Sequence, residues 1–465
     1  MLALLLTLSG VTAPDFDTVF TGRSLRFDYY HTGDANEEHI ALGKFRLEGE
    51  WAGSRLQLLD TTNLGKYRFS VVDAVSHRTL YSRGFASIYG EWETTGEAQE
   101  TWRSFHESQR FPEPRKPVQV VLEKRAETGR FIQIYASRVD PKDRFVDRSE
   151  VAPRGEVWSW MANGPAATKV DLLIVGEGYT AGQRDKFQAD VDRLASVLFE
   201  TEPFARRKGD FNVNLLLAPS PLPGISNPRA GTWRDSSFGL SFNAFDSDRY
   251  VLTYENHTLR EAAAQVPYDA MILLFNDRKY GGGGIFNLWS TCAADSEPAP
   301  YLIVHEFGHS FAGLADEYYT SQVSYEDFAP PGVEPWEPNV TALLDPETLK
   351  WVDLVEKDTP LPTPWSQEGY DEASYAYQGR RAELRSQGAS EEEMEKLFNE
   401  VKQETGPMLA AEPYFGKVGA FEGAAYQAKG LYRSEADCIM FTRNPKTFCR
   451  VCSRAIEKVI DLYSK

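Results

Sequence analysis

The chain has 465 residues, too many for one typical hydrophobic core, so two or more domains are expected. Hydrophobic residues make up 42% and charged residues 25%, which excludes a disordered chain. Against 68 acidic side chains stand 50 basic ones, and the resulting charge of −18, with no basic stripe, argues against nucleic acid as a partner.

The first residues, "MLALLLTLSGVTAPDF", form a short apolar run ending in small residues. This is the pattern of a secretory signal peptide over residues 1–13, and it implies a secreted or periplasmic protein. Two departures stand out: no Lys or Arg precedes the run, and Pro14 follows the cleavage point at Ala13. No later stretch has the apolar length that a membrane span requires.

Between residues 14 and 150, apolar and polar residues alternate in short runs such as "SLRFDYY", "HIALGKFRLEG", "KYRFSVVDA", "VQVVLEK" and "RFIQIYAS". Strands of this length and spacing predict an N-terminal all-β sandwich domain. A polar, proline-bearing stretch, "VDPKDRFVDRSEVAPRGE", places the linker near residue 150.

Residues 151–465 read differently. "KVDLLIVGEGYT", "NVNLLLAP" and "DAMILLFND" are buried-strand runs. They alternate with helical spacing at Phe187, Val191, Leu194 and Leu198 and in "TLREAAAQ", so an α/β domain is expected. "GGGGIFNLWSTCAAD" reads as a flexible glycine run leading into a strand that could pair with an extended substrate. Beyond residue 320 the prolines at 330, 331, 335, 338, 360, 362 and 364 suggest a loop-rich region. It gives way at 388–405 to a solvated amphipathic helix capped by Ser390.

The stretch that carries chemistry is "VHEFGHSFAGLADEYY" at 304–319. Pro300 suits the first turn of a helix and Gly313 its end. On that helix His305 and His309 are one turn apart and can face one ion, with Glu306 placed to take a proton from a zinc-bound water. One catalytic Zn2+ is therefore the expected cofactor, and it needs a third protein ligand. None of the seven histidines follows His309, so a downstream histidine is excluded. Asp316 is the preferred ligand and Glu317 the second; His257, a cysteine, or a distant carboxylate such as Glu404 remain open.

Met440 in "CIMF" fits a methionine turn beneath such a metal. The four cysteines, Cys292, Cys438, Cys449 and Cys452, read as disulfides near the site in an exported protein. A four-cysteine zinc site is disfavoured, because only one close pair exists.

"HEFGHSFAGLADEYY", "EGYT" near 179, "PNVT" at 338–341, "LPTPW" at 361–365 and "GLYRSEADCIMF" together resemble the bacterial IgA-peptidase-type zinc metallopeptidases, over about residues 165–460. The resemblance implies a metzincin-like catalytic domain behind a β-sandwich, one catalytic zinc, export, and a protein or peptide substrate. Carried over residue by residue, it makes His305, His309 and Asp316 metal ligands and Glu306 the general base. Gly313 and Asp316 each stand one place later than in the general metzincin pattern. Two other readings compete with a zinc endopeptidase. One is a zinc amidase or aminopeptidase acting on small peptides or cell-wall fragments; the other is a catalytically weak surface binding protein. Tyr426 and Tyr432 lie near the methionine turn, and neither is given a role.

Overall fold

Alternation of side chains across a pleated backbone sets the first third of the chain. The computed structural model describes residues 14–321, 330 and 332–465; the expected leader at 1–13 lies outside them. In chain order the first elements are α1 (Phe16–Val19), β1 (Phe20–Gly33), β2 (Glu38–Glu50), β3 (Tyr67–Asp73), β4 (Thr79–Phe85), α2 (Ile88–Trp92), β5 (Arg103–Pro114), β6 (Val118–Arg125), β7 (Phe131–Val139) and β8 (Val146–Asp147). They form two four-stranded sheets, β5-β1-β2-β8 and β4-β3-β6-β7. One core fills the space between them, with Leu25, Phe27 and Tyr29 of β1 meeting Phe69 and Val71 of β3 and Val120 and Leu122 of β6.

The other face of β1 is buried too. Arg26 there bonds Asp28 and Glu48, each at 2.7 Å, and Arg110 on β5 reaches the Tyr268 carbonyl at 2.6 Å. The polar half of "SLRFDYY" therefore faces the second domain rather than water. Its charges are tolerated because they are paired.

The second half builds one mixed sheet. Its elements are β9 (Glu156–Met161), β10 (Val170–Glu177), α3 (Arg184–Glu200), β11 (Phe211–Leu217), α4 (Asn256–Ala263), β12 (Ala270–Phe275), β13 (Gly282–Ile285), β14 (Trp289–Ala293) and α5 (Ala299–Ala312). The order is β13-β14-β12-β10-β11-β9. Its four inner strands are parallel and both edge strands antiparallel. β10 is buried at every position, as a continuous apolar run in a sheet covered on both faces must be. Leu172 and Ile174 face α3 and α5, while Leu173 and Val175 enter the core on the opposite face.

The remaining elements are β15 (Val340–Thr341), α6 (Gln367–Ser386), α7 (Glu391–Ala410), β16 (Phe421–Ala424), β17 (Gln427–Arg433) and α8 (Arg450–Ser464). The loop-rich expectation is corrected here, because a 20-residue helix, α6, follows the prolines directly. α7 starts at the expected Ser390 cap, which forms a capping box with Glu393, runs five residues past 405, and pairs with α6. Among the described residues no helix is long and apolar enough to cross a membrane.

At the end of β10, Glu177 accepts hydrogen bonds from the Phe238 amide at 3.0 and 3.2 Å. Burial pushes its carboxyl up to about 7 from 4.5, in spite of the amides it gathers. A carboxyl whose folded pKa is raised contributes stability that is full below about pH 4.5 and is lost as pH rises through about 7. Urea unfolding at pH 5 and pH 8 should therefore show the stability difference moving in favour of Glu177→Gln over wild type, by about 2–3 kcal/mol. Parallel pH dependence in the two proteins would refute it.

Candidate metal centre

The helix carrying the histidines ends where its sequence says it should. Pro298 and Pro300 flank the start of α5, and Gly313 closes it in the left-handed conformation at φ 62°. A Cβ at Gly313 would come within 2.7 Å of the Trp336 ring, so the turn tolerates only glycine. Beyond the turn, Asn339 of the "PNVT" stretch clamps Ala315, bonding its N–H at 2.8 Å and its carbonyl at 2.9 Å. This clamp returns Asp316 to the helix it has just left.

Asp316 Oδ1 then lies 3.0 Å from His305 Nε2 and 3.2 Å from His309 Nε2, and the two nitrogens are 3.1 Å apart. Each imidazole is oriented from behind. His309 Nδ1 meets the Leu314 carbonyl at 2.6 Å; His305 Nδ1 meets the Tyr301 hydroxyl at 3.0 Å and the Ile439 carbonyl at 3.2 Å. Engagement of Nδ1 leaves both Nε2 lone pairs free to converge, as in metal-binding histidines. Asp316 Oδ2 accepts a hydrogen bond from Tyr426, while the buried Oδ1 faces only the two imidazole Nε2 atoms. A divalent cation would satisfy that oxygen and both nitrogens together, so the donor set fits a metal.

Burial alone would raise the Asp316 carboxyl, but His309 and His305 hold it well below its usual range. Burial disfavours the His309 imidazolium, yet Asp316 outweighs it and lifts the ring to about 9. Burial also pushes the Glu306 carboxyl upward, with the two histidines opposing.

The other candidates fall elsewhere. His257 pairs with Glu261 at 3.2 Å on α4, and Glu404 is exposed on α7. Glu317 points away from the histidines and takes a 2.9 Å hydrogen bond from Asn339. The disulfide expectation is corrected, since all four cysteines carry free thiols. Cys438 and Cys452 are 3.8 Å apart between sulfurs, against about 2.05 Å for a bond. Cys292 lies apart from them on β14, with its sulfur 3.9 Å from the Ala299 carbonyl.

Met440 is fully buried beneath α5, its sulfur 3.3 Å from where a Cβ on Gly308 would lie. Its carbonyl accepts the Glu317 amide at 2.7 Å. Of the two tyrosines left without a role, Tyr426 reaches Asp316 and lines the cavity, and Tyr432 sits on β17 outside the lining.

His305, Glu306, His309 and Asp316 open on a cavity of about 570 Å³. One wall comes from the N-terminal half through Lys66 and Glu91, and another from α6 and α7 through Arg381 and Phe398. The sequence reading missed this role of α7, taking it as a solvated surface helix. The glycine run is also corrected, because Gly282–Ile285 is an ordered edge strand pressed against α5. A Cβ on Gly282 would meet Glu306 Oε1 at 3.3 Å, and one on Gly284 would meet the Glu306 carbonyl at 2.4 Å and His309 Cβ at 2.8 Å.

Two histidines and a carboxylate around one point, with a free glutamate beside them on a cavity wall, place the molecule among the metal-dependent hydrolases. Comparison with known families makes this specific. A family model described as IgA Peptidase M64 matches residues 159–460, and one described as Peptidase M64 N-terminus matches residues 15–136. The chain belongs to the IgA peptidase M64 family and is a metallopeptidase, whose substrate is a protein or peptide. No curated protein matches it.

Gly284→Ala forces α5 off the edge strand and should lower unfolding free energy by about 1–3 kcal/mol, the usual cost of overpacking. Gly96→Ala, where a Cβ meets nothing within 4 Å, should stay within about 0.5 kcal/mol of wild type. Equal urea midpoints for the two variants would show that the glycines do not set the strand–helix spacing.

Proposed function

We propose that the chain is a zinc endopeptidase with a metzincin-like catalytic domain, in which His305, His309 and Asp316 hold the ion and Glu306 is the general base. The observation that carries this reading is the convergence of two Nε2 atoms and one buried carboxylate oxygen beside Glu306. Met440, buried under the same helix, supports the metzincin-like assignment. Zinc suits two imidazoles and a carboxylate; when bound it polarises a carbonyl and lowers the pKa of water toward about 7.

The chain's own groups do the rest. Glu306 accepts the proton of the attacking water and delivers it to the leaving amine. Tyr301 and the Ile439 and Leu314 carbonyls keep the imidazoles from turning. Beside the site, the edge strand Gly282–Ile285 lines the cavity. Gly282 is already bonded to the Arg249 carbonyl and the Val251 amide, and the strand beyond it faces an extended peptide with main chain, which favours cleavage within chains. The apolar leader supports export and an extracellular or periplasmic protein substrate. Fractionation of cells producing the full chain tests that part, and an exclusively cytoplasmic enzyme would count against it.

Glu306→Gln should retain metal and lose about 100- to 10,000-fold in kcat on a protein substrate. Undiminished turnover would remove Glu306 as the base. Asp316→Ala should lose both the ion at the histidine pair and the activity, and an unchanged metal affinity there would overturn the ligand assignment.

A further inference from the structure

We infer that the chain carries a second metal site, closed and structural, in which Cys438, Cys449, Cys452 and Glu317 hold one zinc ion. This inference is independent of the hydrolytic reading. The four ligand atoms all lie within 4.8 Å of one another, and all four residues are buried. Glu317, Cys438 and Cys452 are 0% exposed, so water can neither hydrate the carboxylate nor reach the two thiols.

Two edges of the cluster have the length expected of a tetrahedral shell. Zinc–sulfur bonds of about 2.3 Å put two thiolates about 3.8 Å apart, and replacing one sulfur by an oxygen ligand shortens the edge to about 3.5 Å. Cys438 and Cys452 are 3.8 Å apart, and Cys452 lies 3.4 Å from Glu317 Oε1. Donors surround the sulfurs as they do around bound thiolates. The Cys449 amide reaches Cys438 Sγ at 3.3 Å, the Cys452 amide reaches Cys449 Sγ at 3.4 Å, and Ser434 Oγ lies 3.3 Å from Cys449 Sγ. Cys449 also caps α8, whose N-terminal dipole favours a thiolate there.

Charge makes the same case. A carboxylate buried among thiols is costly unless something neutralises it. Glu317 Oε1 accepts hydrogen bonds from Asn339 and from the Cys452 thiol, but its Oε2 is buried without a partner. The buried Arg433 gives its two terminal nitrogens to the Glu422, Gly423 and Ala436 carbonyls rather than to Glu317. A soft divalent ion answers both the thiols and the orphaned oxygen. Four protein ligands leave no open position, which marks the site as structural rather than catalytic.

The ion would join the turn after α5 to the methionine loop and the start of α8, more than a hundred residues later in the chain. Glu317 follows Asp316, and Cys438 stands two residues before Met440, so the knot braces the segment that carries the preferred third ligand of the His305–His309 cluster.

The test is metal analysis of the full chain, purified without chelators. Wild type should carry two zinc ions, His305→Ala/His309→Ala one, and Cys438→Ser/Cys452→Ser should lose the other. Because the cysteine variant may fail to fold, cobalt-substituted wild type and the histidine variant supply a second reading. Both should show a thiolate-to-cobalt charge-transfer band in the near ultraviolet. One zinc in wild type and none in the histidine variant would sink the proposal. So would recovery of two thiols instead of four from the denatured, unreduced protein, since that reports a disulfide in place of the metal.

Discussion

Everything at the candidate centre depends on a reversal of the chain within three residues. Gly313 must adopt a left-handed conformation against the Trp336 ring, and Asn339 must clamp Ala315, for Asp316 to face the helix that precedes it. Without that reversal the two imidazoles would share a face of α5 with no anion opposite them. The parallel sheet behind α5 supplies the rigid floor. Its strands are buried on both faces, so the helix cannot sink or tilt to accommodate a misplaced turn.

The parts of the molecule governed by short-range pattern were legible in the sequence. β10, β11 and β12 read as apolar runs, α3 and α4 as helical periods, and His305, Glu306 and His309 as one face of a helix bounded by proline and glycine. The choice between Asp316 and Glu317 was not legible in the same way. Two adjacent carboxylates after a turn are equivalent until distant groups divide them, and here Asn339 and three cysteines more than a hundred residues later claim Glu317. The disulfide reading of the cysteines failed because their spacing does not show that the fold gathers Cys438, Cys449 and Cys452 around Glu317 and leaves Cys292 apart. β4 and β5 were passed over because buried arginines and glutamates interrupt their alternation, and α6 because prolines precede it.

The two halves of the chain meet through charge as well as through apolar contact. Arg110 crosses to the Tyr268 carbonyl, the Ala86 amide bonds the Phe286 carbonyl at 2.9 Å, and Tyr250 hydrogen-bonds Glu91 beside the cavity. Such directional contacts fix the relative position of the halves more narrowly than an oily interface would. The cavity wall supplied by Lys66 and Glu91 is thus held in register with the histidines.

The glycines of the edge strand have one more consequence. With no side chains from Gly282 to Gly284, that rim of the cleft adds no bulk or charge of its own, and its Gly282 end is already bonded to Arg249 and Val251. Discrimination among substrates is thereby displaced from the rim nearest the chemistry to the farther walls, where Arg381 and Phe398 on one side and Lys66 and Glu91 on the other differ in charge and bulk. A molecule built this way can keep its reactive centre unchanged while its diet is rewritten by substitutions that never touch the metal.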